Sequence, residues 1–399
     1  MPKNRPSKEK RDQAKAEERR FRRIEKETRE NDRARAVADD NTLDFGAKID
    51  RLAETRNWFW ADTTVVDQYM SGEISTAEAV DILAKPIDEA YSTANAGTEY
   101  FRQERVARMQ RKYHSPEKAL ELWGPEQDWP GPENERDHSG NAEMLLWNLW
   151  YSILHTAKKI PFTDEARQEK LVDLVRTLKA RPDPPEPVPM TIPLKRDWVW
   201  QLGTVWSELI ILGASITEVR NDSCGCGAGW SWPEQQAEQN LNAFYARLTA
   251  SGVANIHIQG EICAADALEK APTPWYCRVS PPPDHEILSH YVTCAALWTI
   301  IAGKEVYARY PHTRDERDIE VVDRILELRD NELPWNRSRK RYKGRARWET
   351  ARREFARRRF EAESQNEELS LEVRDLAGRA AKAMDGIVWQ TQEDKCLDS

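Results

Sequence analysis

Apolar side chains recur along this chain at steps of three and four residues, the period of one face of an α-helix. The clearest run is Ala237, Leu241, Phe244 and Leu248. Pro233 stands ahead of it where a first-turn proline costs no hydrogen bond, and Gly252 follows where a helix is capped. This run is expected at the centre of a helical core. Ser75 and Glu78 form a capping-box pair ahead of Val80, Ile82 and Leu83. Asp81 to Tyr113 reads as a helix interrupted or restarted at Pro86. Met144 to Leu154 is apolar almost all round, the mark of a buried helix. Thr163 caps a further helix with Leu171, Leu174, Val175 and Leu178 on its inner face. Ile256–Leu268 reads as another, and Asp284 opens a long one through Ile287, Tyr291, Cys294, Trp298 and Ile301 to near Gly303. Ile319, Val322, Ile325 and Leu326 mark a helix, and residues 346–362 and 366–388 supply the last two.

Strand-like alternation is nearly absent, and no fixed-period repeat is found. The fold class is therefore all-α: an irregular multi-helix bundle of two packed subdomains with a long charged N-terminal helix or tail. Residues 124–140 and 271–284 are loops by composition, and Arg181–Leu194 holds six prolines, an extended spacer. The expected division is a tail over 1–38, a helical subdomain over 39–180, a linker over 181–194, a second helical subdomain over 195–390 and a short tail over 391–399.

Charge changes this picture at two places. The 399 residues carry a formal net charge of −8, yet residues 1–38 hold 14 basic and 8 acidic side chains, and residues 337–359 hold 12 and 2. The first stretch pairs opposite charges at i,i+4, as an exposed or coiled-coil helix does. In the second, Arg337, Arg339, Lys340, Arg341, Lys343, Arg345 and Arg347 precede Trp348, a pattern able to grip phosphates or serve as a nuclear address. A solvated basic face and an internal acidic partner are the competing readings. Six cysteines in a chain this long make no disulfide framework, no apolar leader is visible, and no run of eighteen apolar residues exists. A reduced compartment, cytoplasmic or nuclear, is expected rather than secretion or a membrane.

Candidate chemistry is sparse. Cys224-Gly-Cys226 puts two soft ligands on a glycine-rich loop, and His290 with Cys294 sits at i,i+4 on one helix face. These four could complete a metal site if two distant segments met; a loop thiol pair and an unrelated Cys and His is the alternative. Gly225, Gly227 and Gly229 lack the strand and the spacing of a dinucleotide fingerprint and read as turn residues. His155 and His257 lie in apolar neighbourhoods and read as core groups. The 16 tryptophans read as core filler rather than a ligand cage. No catalytic motif and no cofactor signature is present.

Trp206–Gly213 (W-S-E-L-I-I-L-G), Asn240–Thr249 (N-L-N-A-F-Y-A-R-L-T), Trp348 with Phe355, and Tyr69–Val80 together resemble a fungal family, domain of unknown function 3632, over roughly 70–390. The resemblance implies a helical fold and a fungal source, and transfers no active site. The charged N-terminus and the C-G-C-G loop depart from the family. A non-enzymatic module that binds an unidentified protein partner is the leading expectation. Nucleic-acid association through 1–38 and 337–359, and a Trp-lined small-molecule binder or enzyme, are the alternatives.

Overall fold

The structure is a computed structural model that describes residues 8–93, 115–123, 142–185, 204–269, 282–307 and 345–387. Among these every regular element is helical, and the one β-type pairing is an isolated bridge between Cys224 and Ala228. The chain is all-α, as its periodicity implied. The expected helix at 319–326, the loop at 124–140 and Trp198–Trp200 fall outside the described residues.

The helices are α1 (Lys8–Asp39), α2 (Phe45–Arg56), α3 (Thr64–Ser71), α4 (Thr76–Thr93), α5 (Pro116–Trp123), α6 (Ala142–Lys159) and α7 (Glu165–Lys179). After these come α8 (Leu212–Val219), α9 (Trp232–Ala250), α10 (His257–Ala264), α11 (Asp284–Tyr307), α12 (Arg345–Ser364) and α13 (Leu371–Asp385). The capping box at α4 forms as expected: Glu78 accepts from the Ser75 N–H at 2.8 Å and its hydroxyl at 2.7 Å. The helix then runs unbroken through Pro86, contrary to the expected interruption. α11 does not stop near Gly303 but bends at Ala302 (φ −129°, ψ 28°) and continues to Tyr307.

The described residues group into two compact units. One lies within Met1–Trp58, Lys158–Asp164 and Asn221–Ser399, the other within Phe59–Ala157 and Glu165–Arg220. These units do not part at the proline-rich 181–194, and hydrogen bonds from residues on its far side give the reason. In the second unit the Trp206 indole donates to Asp88 on α4 at 2.7 Å, Asp183 accepts the Trp206 N–H at 2.6 Å, and the Trp150 indole donates to the Ile210 carbonyl at 2.8 Å. Residues after the prolines are thereby fastened to α4 and α6. The core of that unit is Leu146, Trp150, Ile153, Leu154, Leu171, Leu174 and Trp206, all buried.

In the first unit α9 packs on α11 and α2, α10 on α11, and α12 and α13 pair with each other and with α11. α9 is buried on most of its surface. Gly252 (φ 69°) ends it in a left-handed cap, with the Val253 N–H reaching the Leu248 carbonyl at 3.0 Å. Among the described residues α11 alone has the length and composition to cross a membrane, yet 72% of that window is buried inside the protein, the position of a core helix. Trp150, Trp206 and Trp298 are fully buried; Trp232 and Trp60 are 54% and 43% exposed.

The approach of α10 to α11 is set by Gly260, where a Cβ would lie 2.7 Å from Val306 Cγ2 and 2.8 Å from Trp298 Cε3. Gly260→Ala is expected to destabilise the protein by about 1–3 kcal/mol in urea titration. Gly378→Ala, mid-helix in α13 with only ordinary contact to Ser364 Cβ at 3.7 Å, is expected to stabilise by about 0.5–1 kcal/mol. Equal effects from the two would contradict this packing.

Candidate functional site

α9 carries two inward-facing stripes, buried except at Glu238, whose side chain is 20% exposed. One is the apolar row Ala237, Leu241, Phe244 and Leu248; the other is polar, with Glu234, Glu238 and Asn242 at i, i+4 and i+8. Burying such groups costs free energy unless each finds a partner. Glu234 is fully buried, and its Oε1 accepts from Arg56 Nε and the Gly229 N–H, both at 2.8 Å. Its Oε2 accepts from the Ser231 N–H at 3.0 Å and the Ser231 hydroxyl at 2.7 Å, which caps α9. Arg56 also donates to Asn31 on α1 at 2.8 Å, so one carboxylate joins α1, α2 and α9. At the other end Asn242 Oδ1 accepts from the Trp298 indole at 2.9 Å and the Cys263 thiol at 3.2 Å.

Glu238 occupies the middle of the stripe. Its Oε2 accepts the Cys224 N–H at 2.7 Å and lies 3.0 Å from His290 Nε2. Cys224 arrives on a tight turn: the Gly225 N–H reaches the Ala228 carbonyl and the Ala228 N–H the Ser223 carbonyl, each at 3.1 Å. Gly225 takes φ 79°, and at Gly227 a Cβ would meet the Asn221 carbonyl oxygen at 2.3 Å. Those glycines are turn residues, as the sequence suggested. His290 and Cys294 come from one face of α11, with Cys294 Sγ 3.9 Å from His290 Nε2. The thiol of Cys224, a carboxylate oxygen of Glu238 and a ring nitrogen of His290 all lie within 4.8 Å of one another.

The electrostatics of this cluster rule against a nucleophilic cysteine. Burial first, then the Glu238 charge, push the Cys224 and Cys294 thiols well above their ordinary values. A neutral buried thiol is a poor nucleophile. Burial also pushes the Glu238 carboxyl up, but its contacts with His290 and Cys224 outweigh this and hold it below the usual carboxylate value. Nearby, Lys158 and Asp222 form a buried pair at 2.8 Å under the Trp58 ring, which lies 4.5 Å from the ammonium. The Tyr245 hydroxyl, also buried, has no hydrogen-bond partner among the described residues.

Of the four sequence candidates for metal, the structure brings Cys224, His290 and Cys294 together and leaves Cys226 exposed, lining a cleft instead. Sequence reasoning missed Glu238. The signal was present in the Glu234–Glu238–Asn242 spacing, which places polar groups on a face of a helix already committed to the core. His257, expected in the core, is 22% exposed at the start of α10, where its ring bonds Asn255; a first-turn position cannot be fully covered by its own helix. His155 is buried, its ring 5.7 Å from that of Trp60. Arg337, Arg339, Lys340, Arg341 and Lys343 lie outside the described residues. Arg345 and Arg347 fall in the first turn of α12.

The cleft beside Cys226 has a volume of about 890 Å³ and runs between α1 and residues 225–232. Arg23, Lys26, Asn31, Arg56 and Trp232 line it, with acidic neighbours such as Glu27 and Asp32. Trp232 stacks on Phe45 at 5.8 Å between ring centroids while staying half exposed.

Residues 150–361 match the family described as "Protein of unknown function (DUF3632)". No curated protein and no solved structure matches the chain.

Arg56→Met removes the cation facing Glu234, whose pair is 7% and 0% exposed. Because it strands a buried carboxylate, it is expected to cost about 3–5 kcal/mol in chemical denaturation. A loss below about 1 kcal/mol, the range of exposed pairs, would show that Glu234 is not dependent on this partner.

Proposed function

This chain belongs to the DUF3632 family, and we propose from that premise that it is a non-enzymatic module that binds a segment of a protein partner in the cleft between α1 and residues 225–232. The observation that carries this reading is the lining of that cleft: charges of both signs beside an exposed, stacked indole. Mixed charge suits a polypeptide segment that itself carries both signs, with an apolar side chain laid on Trp232. It is a poor fit to a phosphate backbone, which calls for one sign. Three basic side chains of α1 are engaged within the helix: Arg22 with Glu18 at 2.6 Å, Arg29 with Glu25 at 2.9 Å, and Lys26 with Glu30 at 3.4 Å. A reduced cytoplasmic or nuclear setting belongs to the same reading, and the free thiols of Cys224 and Cys294 are compatible with it.

The test compares full-length protein with Trp232→Glu and Cys226→Arg as baits in extract of the native cell, with and without nuclease, at moderate and high salt. The reading expects one protein retained by the wild type and lost from both variants. Capture that vanishes with nuclease, or that both variants keep unchanged, overturns it.

A further inference from the structure

We propose that Cys224, Glu238, His290 and Cys294 form a closed zinc site that clamps α9, α11 and the 220–228 turn. The donor set is two sulfurs, one imidazole nitrogen and one carboxylate oxygen, a combination that selects zinc among common divalent cations. Three of the ligand atoms already lie within 4.8 Å of one another. Tetrahedral zinc with bonds of about 2.0–2.3 Å needs ligand separations of about 3.3–3.8 Å. Within this trio the longer separations must close by up to about 1.5 Å and the 3.0 Å between Glu238 Oε2 and His290 Nε2 must open slightly, movements of side-chain torsions. Cys294, one helical turn from His290 and 3.9 Å from its Nε2, lies outside that close trio and would turn inward to become the fourth ligand.

The surroundings support ligation beyond the four donors. Gln239 lies 3.4 Å from His290 Nδ1 and is placed to orient the ring. With Nε2 on zinc, Nδ1 carries the proton and donates it to the Gln239 amide oxygen, with that amide turned over. Asn242 Nδ2 lies 3.8 Å from Cys294 Sγ and donates to the Glu238 carbonyl at 2.9 Å. Glu238 receives the Cys224 N–H, so the turn is held in register with the carboxylate before any cation arrives. On binding, each thiol releases its proton to solvent as its Zn–S bond forms, Glu238 enters as the carboxylate, and His290 contributes the Nε2 lone pair. Two protons leave for one dication bound. Four protein ligands leave no coordination position for substrate, so the metal holds the fold together and does no chemistry. This inference is independent of the cleft reading, since Cys226 and Trp232 take no part in it.

The test uses the full-length protein, stripped with chelator and then exposed to zinc or cobalt(II). One metal ion per chain by mass spectrometry is expected, with near-ultraviolet thiolate-to-cobalt charge transfer and the visible bands of tetrahedral cobalt. Cys226→Ser should leave these signals intact. Cys224→Ala and Cys294→Ala should each remove part of the charge-transfer intensity and weaken zinc binding by roughly 100-fold or more. Wild-type protein that stays metal-free and shows no thermal shift with zinc overturns the site. So does a cobalt spectrum unchanged in both alanine variants, or one lost in Cys226→Ser. The wild-type measurement decides the matter even where a variant does not fold.

Discussion

A carboxylate taken out of water must be met by donors or it destabilises the fold by several kcal/mol. α9 buries one such group fully and a second by most of its surface, with an amide beyond them, and the first unit is arranged around meeting those demands. Glu234 draws Arg56 from α2 and, through it, Asn31 from α1. Glu238 draws the Cys224 turn and His290 from α11. Asn242 draws Trp298 from α11 and Cys263 from α10. Hydrophobic burial supplies the driving force, but it is directionless. These hydrogen bonds fix which residue of each neighbour faces which turn of α9.

This arrangement explains why the candidate chemistry lies where it does. The turn carrying Cys224 is pinned from both sides: Glu234 accepts the Gly229 N–H and Glu238 the Cys224 N–H. Its glycines permit the close passage past Asn221. The same turn divides the two thiols, with Cys224 facing the buried cluster and Cys226 facing solvent and the cleft. One short segment thus forms a wall of the cleft and one corner of the proposed zinc site. The second unit follows the same logic with different residues: Asp88 accepts from both Trp206 and Arg181, at 2.7 and 2.8 Å.

Helix positions were legible wherever an apolar face was regular, as in α6, α7, α9 and α11. Pro86 was misread because a proline removes one hydrogen bond without obliging the helix to end. The bend at Ala302 left no trace in the periodicity. Proline content reports chain stiffness, and it does not show that Trp206 and Asp183, bonded to each other, fall in one unit. At the site, His290 with Cys294 was visible as an i,i+4 pair, and Cys224 as a loop thiol. Glu238 was hidden among abundant carboxylates, since nothing in spacing alone separates a buried acid from an exposed one. Its recognisable feature was membership of a polar row on a helix whose opposite row was apolar.

The central claim is that the polar stripe of α9 holds the first unit together. Native-state hydrogen exchange tests it most directly. Backbone amides of Asn240–Thr249 should exchange only through global unfolding, with the slowest rates in that unit. If those amides exchange through cheap local opening while α12 and α13 stay protected, the stripe is not what organises the unit.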